Sequence, residues 1–267
     1  MCILRKDLGV EMKMLTFIVL IIVIFFLSTF LSDYIPISFN LFSKRIKRKS
    51  KMNPTLILER EMKKIPFMCN SKFYSPDFFI GLKELQENWK VIREEALKVY
   101  KNSPILKIGR EKKEWIQTIT QKGIDRYGYE EGWIYNWNVD NNEYNKKLLN
   151  YRLMVKDQPL IANAKQCPKT MKILSNIEGI NIAGFSWMTP NSEIRMHRDM
   201  TGLKYGSLAY HLGLIVPKGD AILTIEGETE KEEEGKAIIF DSTFLHSEVN
   251  NCLLDRIILY VDFRLDI

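Results

Sequence analysis

From Ile180 onward the chain breaks into short segments rich in β-branched and aromatic residues, separated by turn residues. These are NIAGFSWM (181–188), SLAYHLGLIV (207–216), AILTIE (221–226), KAIIFD (236–241) and RIILYVDFRL (256–265). Such segments read as strands. Five of them in succession, with no helical pattern between, require an antiparallel arrangement: a sandwich or jelly roll. A parallel sheet would need crossover connections for which there is no room.

The rest of the chain supplies a helical portion and an apolar leader. Asp77–Asn102 reads as a helix, because Phe78, Leu82, Leu85, Trp89, Ile92, Ala96 and Tyr100 recur at three- and four-residue steps. Asp77 is its expected N-cap, and Pro104 stops it. The polar, Asn-rich stretch 136–150 reads as a surface loop. Cys167-Pro168-Lys169-Thr170 precedes a short helix over 171–177. The expected organisation is a tail (1–13), a transmembrane helix (14–31), a basic linker (32–58) and one domain (59–267). That domain divides into a helical part (59–178) and a β core (179–267), giving a mainly β chain overall.

Residues 14–31 (MLTFIVLIIVIFFLSTFL) contain no charge. About 18–20 apolar residues span a bilayer core as a helix. The run is too long for a signal h-region and lacks a small-x-small cleavage pattern. It is apolar all round, unlike a helix that buries one face. Three Lys/Arg precede it and six lie in 44–51, so the positive-inside rule places the domain in the cytoplasm, with a single-pass membrane anchor. The run KRIKRKSK also suits anionic headgroups.

Charge separates the two regions further. Residues 1–52 hold nine Lys/Arg against three acids, an excess that accounts for the whole net charge of +6. The remaining body is neutral, which argues against a nucleic-acid partner. The four cysteines, Cys2, Cys69, Cys167 and Cys252, form no CxxC pair, so zinc-ribbon and dithiol redox readings fail.

The chain has three histidines, His197, His211 and His246, all within the strand-rich region. His197 and Asp199 are two apart, so on extended backbone their side chains share a side. With His246, past the turn after KAIIFDST, they have the composition of a 2-His-1-carboxylate iron(II) site. Arg256 follows ten residues later. Its planar fork suits a carboxylate such as the far end of 2-oxoglutarate, or an ion pair with Asp255 or Asp262.

The stretches MHRDMTGLKYGSLAYHLGLIVP (196–217) and EEGKAIIFDSTFLH (233–246), with Arg256 and LYVDFRL (259–265), resemble the aspartyl/asparaginyl β-hydroxylase family. LQENWKVIREEA (85–96), Gly132-Trp133 and Cys167–Thr170 are similar to it as well. The resemblance implies a double-stranded β-helix (cupin-like jelly roll) and an oxygenase using Fe(2+), 2-oxoglutarate and O2. The His197-Arg198-Asp199 and GSLAYHLGL patterns are closest to the lipid A 2-hydroxylase-like branch, which hydroxylates an acyl chain. Protein-hydroxylating members have glycine at the Asp199 position. By this resemblance His197, Asp199 and His246 would hold iron, and Ser186, His211, Arg256 and Trp133 would hold 2-oxoglutarate. The substrate stays open between a lipid and a protein Asp/Asn side chain. One departure stands out: the family's Arg two residues before His211 is here Ala209, for which Lys204 or Tyr210 could compensate. That departure also leaves room for a cupin-like binding or scaffold module without turnover.

Overall fold

The computed structural model describes residues 71–106, 130–138, 143–199 and 207–265. The expected transmembrane helix (14–31) and basic linker (32–58) lie outside these. Among the described residues, no helix is long and apolar enough to cross a membrane.

Twelve strands are described: β1 (Phe73–Tyr74), β2 (Ile134–Asn138), β3 (Glu143–Val155), β4 (Gln158–Pro159), β5 (Ile180–Met188), β6 (Ser192–His197), β7 (Ser207–Ile215), β8 (Ala221–Ile225), β9 (Glu228–Lys231), β10 (Ala237–Phe240), β11 (His246–Asn250) and β12 (Arg256–Arg264). The larger sheet runs β1-β10-β7-β12-β5-β3-β2, with β4 beside β3. The smaller runs β6-β11-β8-β9. From β5 onward the chain passes back and forth between the two sheets, and every paired strand is antiparallel. This is the double-stranded β-helix, and its eight strands explain why no helix interrupts the described residues of 180–265.

Alternation gives the large sheet two unlike faces. Leu208, Tyr210, Leu212 and Leu214 of β7, and Ile257, Leu259, Val261 and Phe263 of β12, point one way. They pack with Leu82 and Leu85 of α1 (Ile80–Glu87) and Ile92, Ala96 and Val99 of α2 (Trp89–Asn102). The intervening residues Ala209, Ile238, Phe240 and Tyr260 point the other way and meet Leu223 and Ile225 of the small sheet. The apolar part of the barrel interior is therefore small, which leaves the same interior face room for polar groups.

Two sequence expectations change here. The single helix over 77–102 is a 3-10 turn (Pro76–Phe78) capped by Ser75, followed by α1 and α2 with a break at Asn88. The Asn88 side chain donates to the Glu84 carbonyl at 2.9 Å, and so competes with the helical ladder. The described residues of the stretch 136–150 are not a loop: β2 and β3 pair with each other and join the large sheet, where Leu148 and Leu149 are buried. Asn136, Asn145 and Asn150 are themselves paired in these strands, so pairing outweighs the poor strand propensity of asparagine.

The short helix after Cys167 is present as α4 (Pro168–Leu174), with α3 (Ile161–Ala164) before it. Buried Glu95 of α2 accepts from the Lys169 and Thr170 amides (2.9 and 2.8 Å) and from the Thr170 hydroxyl (2.7 Å). It serves α4 as a cap lent by another helix, with Pro168 needing no partner for a missing N–H.

The segment after β9 crosses β7 at Gly213. A Cβ there would stand 2.0 Å from the Glu233 carbonyl oxygen. This close approach sets Glu232 into the interior. Gly213→Ala should therefore lower stability by about 1–3 kcal/mol through a backbone clash. Urea unfolding would check this, and an unchanged midpoint would show that the crossing tolerates a methyl group.

Candidate metal centre

His197 ends β6 and His246 begins β11, and the two are direct partners in the pairing of these strands. Their rings lie 4.2 Å apart between centroids. Asp199, just past β6, is held by its amide, which donates to the Ser242 carbonyl at 3.0 Å. Its Oδ1 is 3.7 Å from His197 Nε2. One donor atom from each of the three residues falls within 4.8 Å of the others.

The orientation of both rings is fixed by the same device. His197 Nδ1 lies 2.8 Å from the Arg195 carbonyl, and His246 Nδ1 lies 2.9 Å from the Phe244 carbonyl. A carbonyl can only accept, so in each ring Nδ1 carries the proton and Nε2 is left with its lone pair. That is the tautomer a metal needs. Burial, together with the neighbouring His197, holds the His246 imidazole below its usual pKa against the pull of Asp199, which favours the neutral ring. The donor set of two imidazoles and one carboxylate fits iron(II). His246 is buried, whereas His197 and Asp199 are about a third exposed, so a bound ion would face solvent on one side. Tyr260 donates weakly to Asp199 Oδ2 at 3.5 Å.

Below this set lies a second, fully buried polar cluster. His211 is next to Tyr260 in the β7–β12 pairing. Its Nδ1 meets Glu232 Oε1 at 3.0 Å, and its Nε2 is 3.9 Å from Glu248 Oε1. The Arg256 guanidinium lies between the same two carboxylates. Its Nε is 2.5 Å from Glu232 Oε2, its Nη2 is 3.1 Å from Glu232 Oε1, and Nη2 also donates to Glu248. Burial pushes the Glu248 carboxyl up, but Arg256 and His211 more than outweigh it, holding the group down to about 2. Burial opposes the Arg256 charge in turn, yet Glu232 and Glu248 raise its pKa above the ordinary value.

The expected site residues therefore divide. His197, Asp199 and His246 converge. His211 and Arg256 converge beside them, and Ser186 shares their interior face through the β5–β12 register. Arg256 pairs with neither Asp255 nor Asp262. Trp133 does not join them: it packs on the helix-covered side against Tyr151 and Trp187, and its Nε1 donates to the Val99 carbonyl at 3.1 Å. Tyr210 faces that side too and cannot stand in for the Arg absent at Ala209; Lys204 lies outside the described residues. A third carboxylate does not fit beside Arg256 as the residues stand, because its guanidinium is already matched by Glu232 and Glu248. Glu232 and Glu248 were not anticipated. Glu248 had a signal, sitting two residues after His246 on the same strand face, whereas Glu232 is hidden in an acidic run that reads as solvated surface.

Comparison with known proteins agrees with the motifs. A family model described as aspartyl/asparaginyl beta-hydroxylase matches residues 86–265. The ornithine lipid ester-linked acyl 2-hydroxylase of Rhizobium tropici is 38% identical over 103 residues, 38% of this chain and 36% of that protein. The aspartyl/asparaginyl beta-hydroxylase of Mus musculus is 30% identical over 193 residues, 68% of this chain but 21% of its own length. A solved oxidoreductase of the 2OG-Fe(II) oxygenase family from Burkholderia pseudomallei aligns over 54% of this chain and 78% of its own, at 12% identity and a TM-score of 0.39. The chain thus spans well under two thirds of these two curated relatives.

Breaking a buried ion pair by removing one partner costs about 3–5 kcal/mol. Arg256→Ala should lose about that much stability in metal-free protein, because two buried carboxylates are left facing each other. Chemical unfolding would measure it, and a loss below about 1 kcal/mol would mean that the cluster is hydrated rather than paired.

Proposed function

The chain belongs to the aspartyl/asparaginyl β-hydroxylase family, and on that premise we propose that it is an iron(II)-dependent oxygenase hydroxylating a C–H bond. The observation that carries this reading is the convergence of His197, Asp199 and His246, with both histidine Nε2 atoms left free by backbone acceptors on Nδ1. Iron held there would supply dioxygen activation, with a 2-oxo acid as reductant. The chain's own residues orient and shield. The Arg195 and Phe244 carbonyls fix the rings, while Phe240 packs against both His211 (4.9 Å) and His246 (5.6 Å) and closes the interior side. The exposed side, at His197 and Asp199, is where a substrate would approach.

A membrane lipid acyl chain is the substrate we favour, with an Asp/Asn side chain of a protein as the alternative. The apolar run 14–31, the basic run after it and the carboxylate at position 199 support the lipid; so does the likeness to the ornithine lipid hydroxylase. Ala209 and the occupied guanidinium of Arg256 favour a second reading, a cupin-like binding module without turnover.

The test is incubation of the full chain with iron(II), a 2-oxo acid and either extracted membrane lipids or Asp/Asn-containing protein. Mass spectrometry should find a lipid one oxygen heavier, absent with His246→Ala. Carbon dioxide release without any oxygenated product would instead leave the substrate wrong, and no release at all would favour the binding module. The anchor has its own check: the full chain should sediment with membranes through a high-salt wash, and deletion of 14–31 should release it. If the deletion variant sediments equally, the anchor lies elsewhere.

A further inference from the structure

The buried polar cluster beside the metal centre already holds two carboxylates. Arg256 is 1% exposed and its cationic fork is taken up by Glu232 and Glu248, which come from the opposite sheet and its connections. Two carboxylates against one guanidinium leave no uncompensated cation for an incoming anion. His211 is engaged by the same pair, with Nδ1 on Glu232 and Nε2 turned toward Glu248. The position two residues before His211, which shares its face, is Ala209 and adds no positive charge. Arg256 Nε and Nη1 and His211 Nε2 are buried and make no hydrogen bond among the described residues, but Nε lies 2.5 Å from Glu232 Oε2, so Nη1 is the guanidinium nitrogen left without a carboxylate. An N–H already flanked by two carboxylates suits an uncharged tail, whereas a tail carboxylate would be the third in one dry cluster, and juxtaposed like charges discriminate strongly against a ligand.

We propose that Glu232 and Glu248 are specificity-determining residues that exclude a tail carboxylate, so that this chain takes a 2-oxo acid with an uncharged tail in preference to 2-oxoglutarate. The proposal rests on the reading of the chain as an iron oxygenase with an oxo-acid co-substrate. It explains why a guanidinium sits at the expected place yet is already matched. It also gives the two carboxylates a role beyond bridging the sheets, since Arg256 could be neutralised by one.

The test is calorimetric titration of the full, iron(II)-loaded chain, without oxygen, with 2-oxoglutarate and with 2-oxopentanoate, in which a methyl group replaces the tail carboxylate. The wild-type chain should bind 2-oxopentanoate at least about tenfold more tightly. The Glu232→Gln/Glu248→Gln double variant keeps acceptors for Arg256 but removes both charges, and should narrow or reverse that preference. Iron titration of the variant reports whether its barrel has folded; if it has not, the wild-type preference decides. Tighter binding of 2-oxoglutarate by the wild-type chain overturns the proposal while leaving the oxygenase reading intact. Iron binding with no response to either oxo acid overturns both.

Discussion

Strand β11 sets the interior of the barrel in three steps. Held between β6 and β8, it turns His246, Glu248 and Asn250 inward, and all three are buried. His246 meets His197 at the metal centre, and Glu248 meets Arg256 one layer below. Asn250 closes the far end, with its Nδ2 donating to the Met188, Thr189 and Leu254 carbonyls at 3.0–3.1 Å. The two-residue period makes these positions inseparable: a slip by one would bring Ser247 and Val249 inward and dismantle all three layers. Pairing on both sides of β11 is what forbids the slip.

The interior is consequently more polar than a barrel needs for stability. Arg256 reaches from the large sheet to carboxylates of the small one, a pairing whose desolvation cost roughly cancels its attraction. Stability comes instead from the opposite face of the large sheet, where α1 and α2 cover an extended apolar layer. With that layer holding the fold, the inner face is free to carry charge. Burial then favours the neutral His246 ring, whereas the Glu248 carboxylate stays charged against burial because Arg256 and His211 lie beside it.

Much of this was legible from residue order. The strand runs after Ile180 predicted an antiparallel barrel, and the His-x-Asp…His spacing picked out three residues that the fold does bring together. Both signals are local or depend on alternation, which sequence displays directly. What escaped was long-range. Glu232 lies 24 residues from Arg256, in a run of acids whose default place is solvent, and only the crossing at Gly213 turns it inward. The pairing of β2 and β3 was hidden because its stabilisation comes from β5, far along the chain. Trp133 was misplaced for the opposite reason: a motif marks its position, but its indole belongs to the packing under the helices.

The central claim is that His197, Asp199 and His246 form one metal site. It is met most directly by an anaerobic iron(II) titration of the full chain and of His246→Ala, with binding measured rather than turnover. The geometry predicts one ion per chain in the wild type and loss of that ion in the variant, with the fold retained because the apolar layer under α1 and α2 does not involve His246. Equal, stoichiometric binding by both proteins would contradict it.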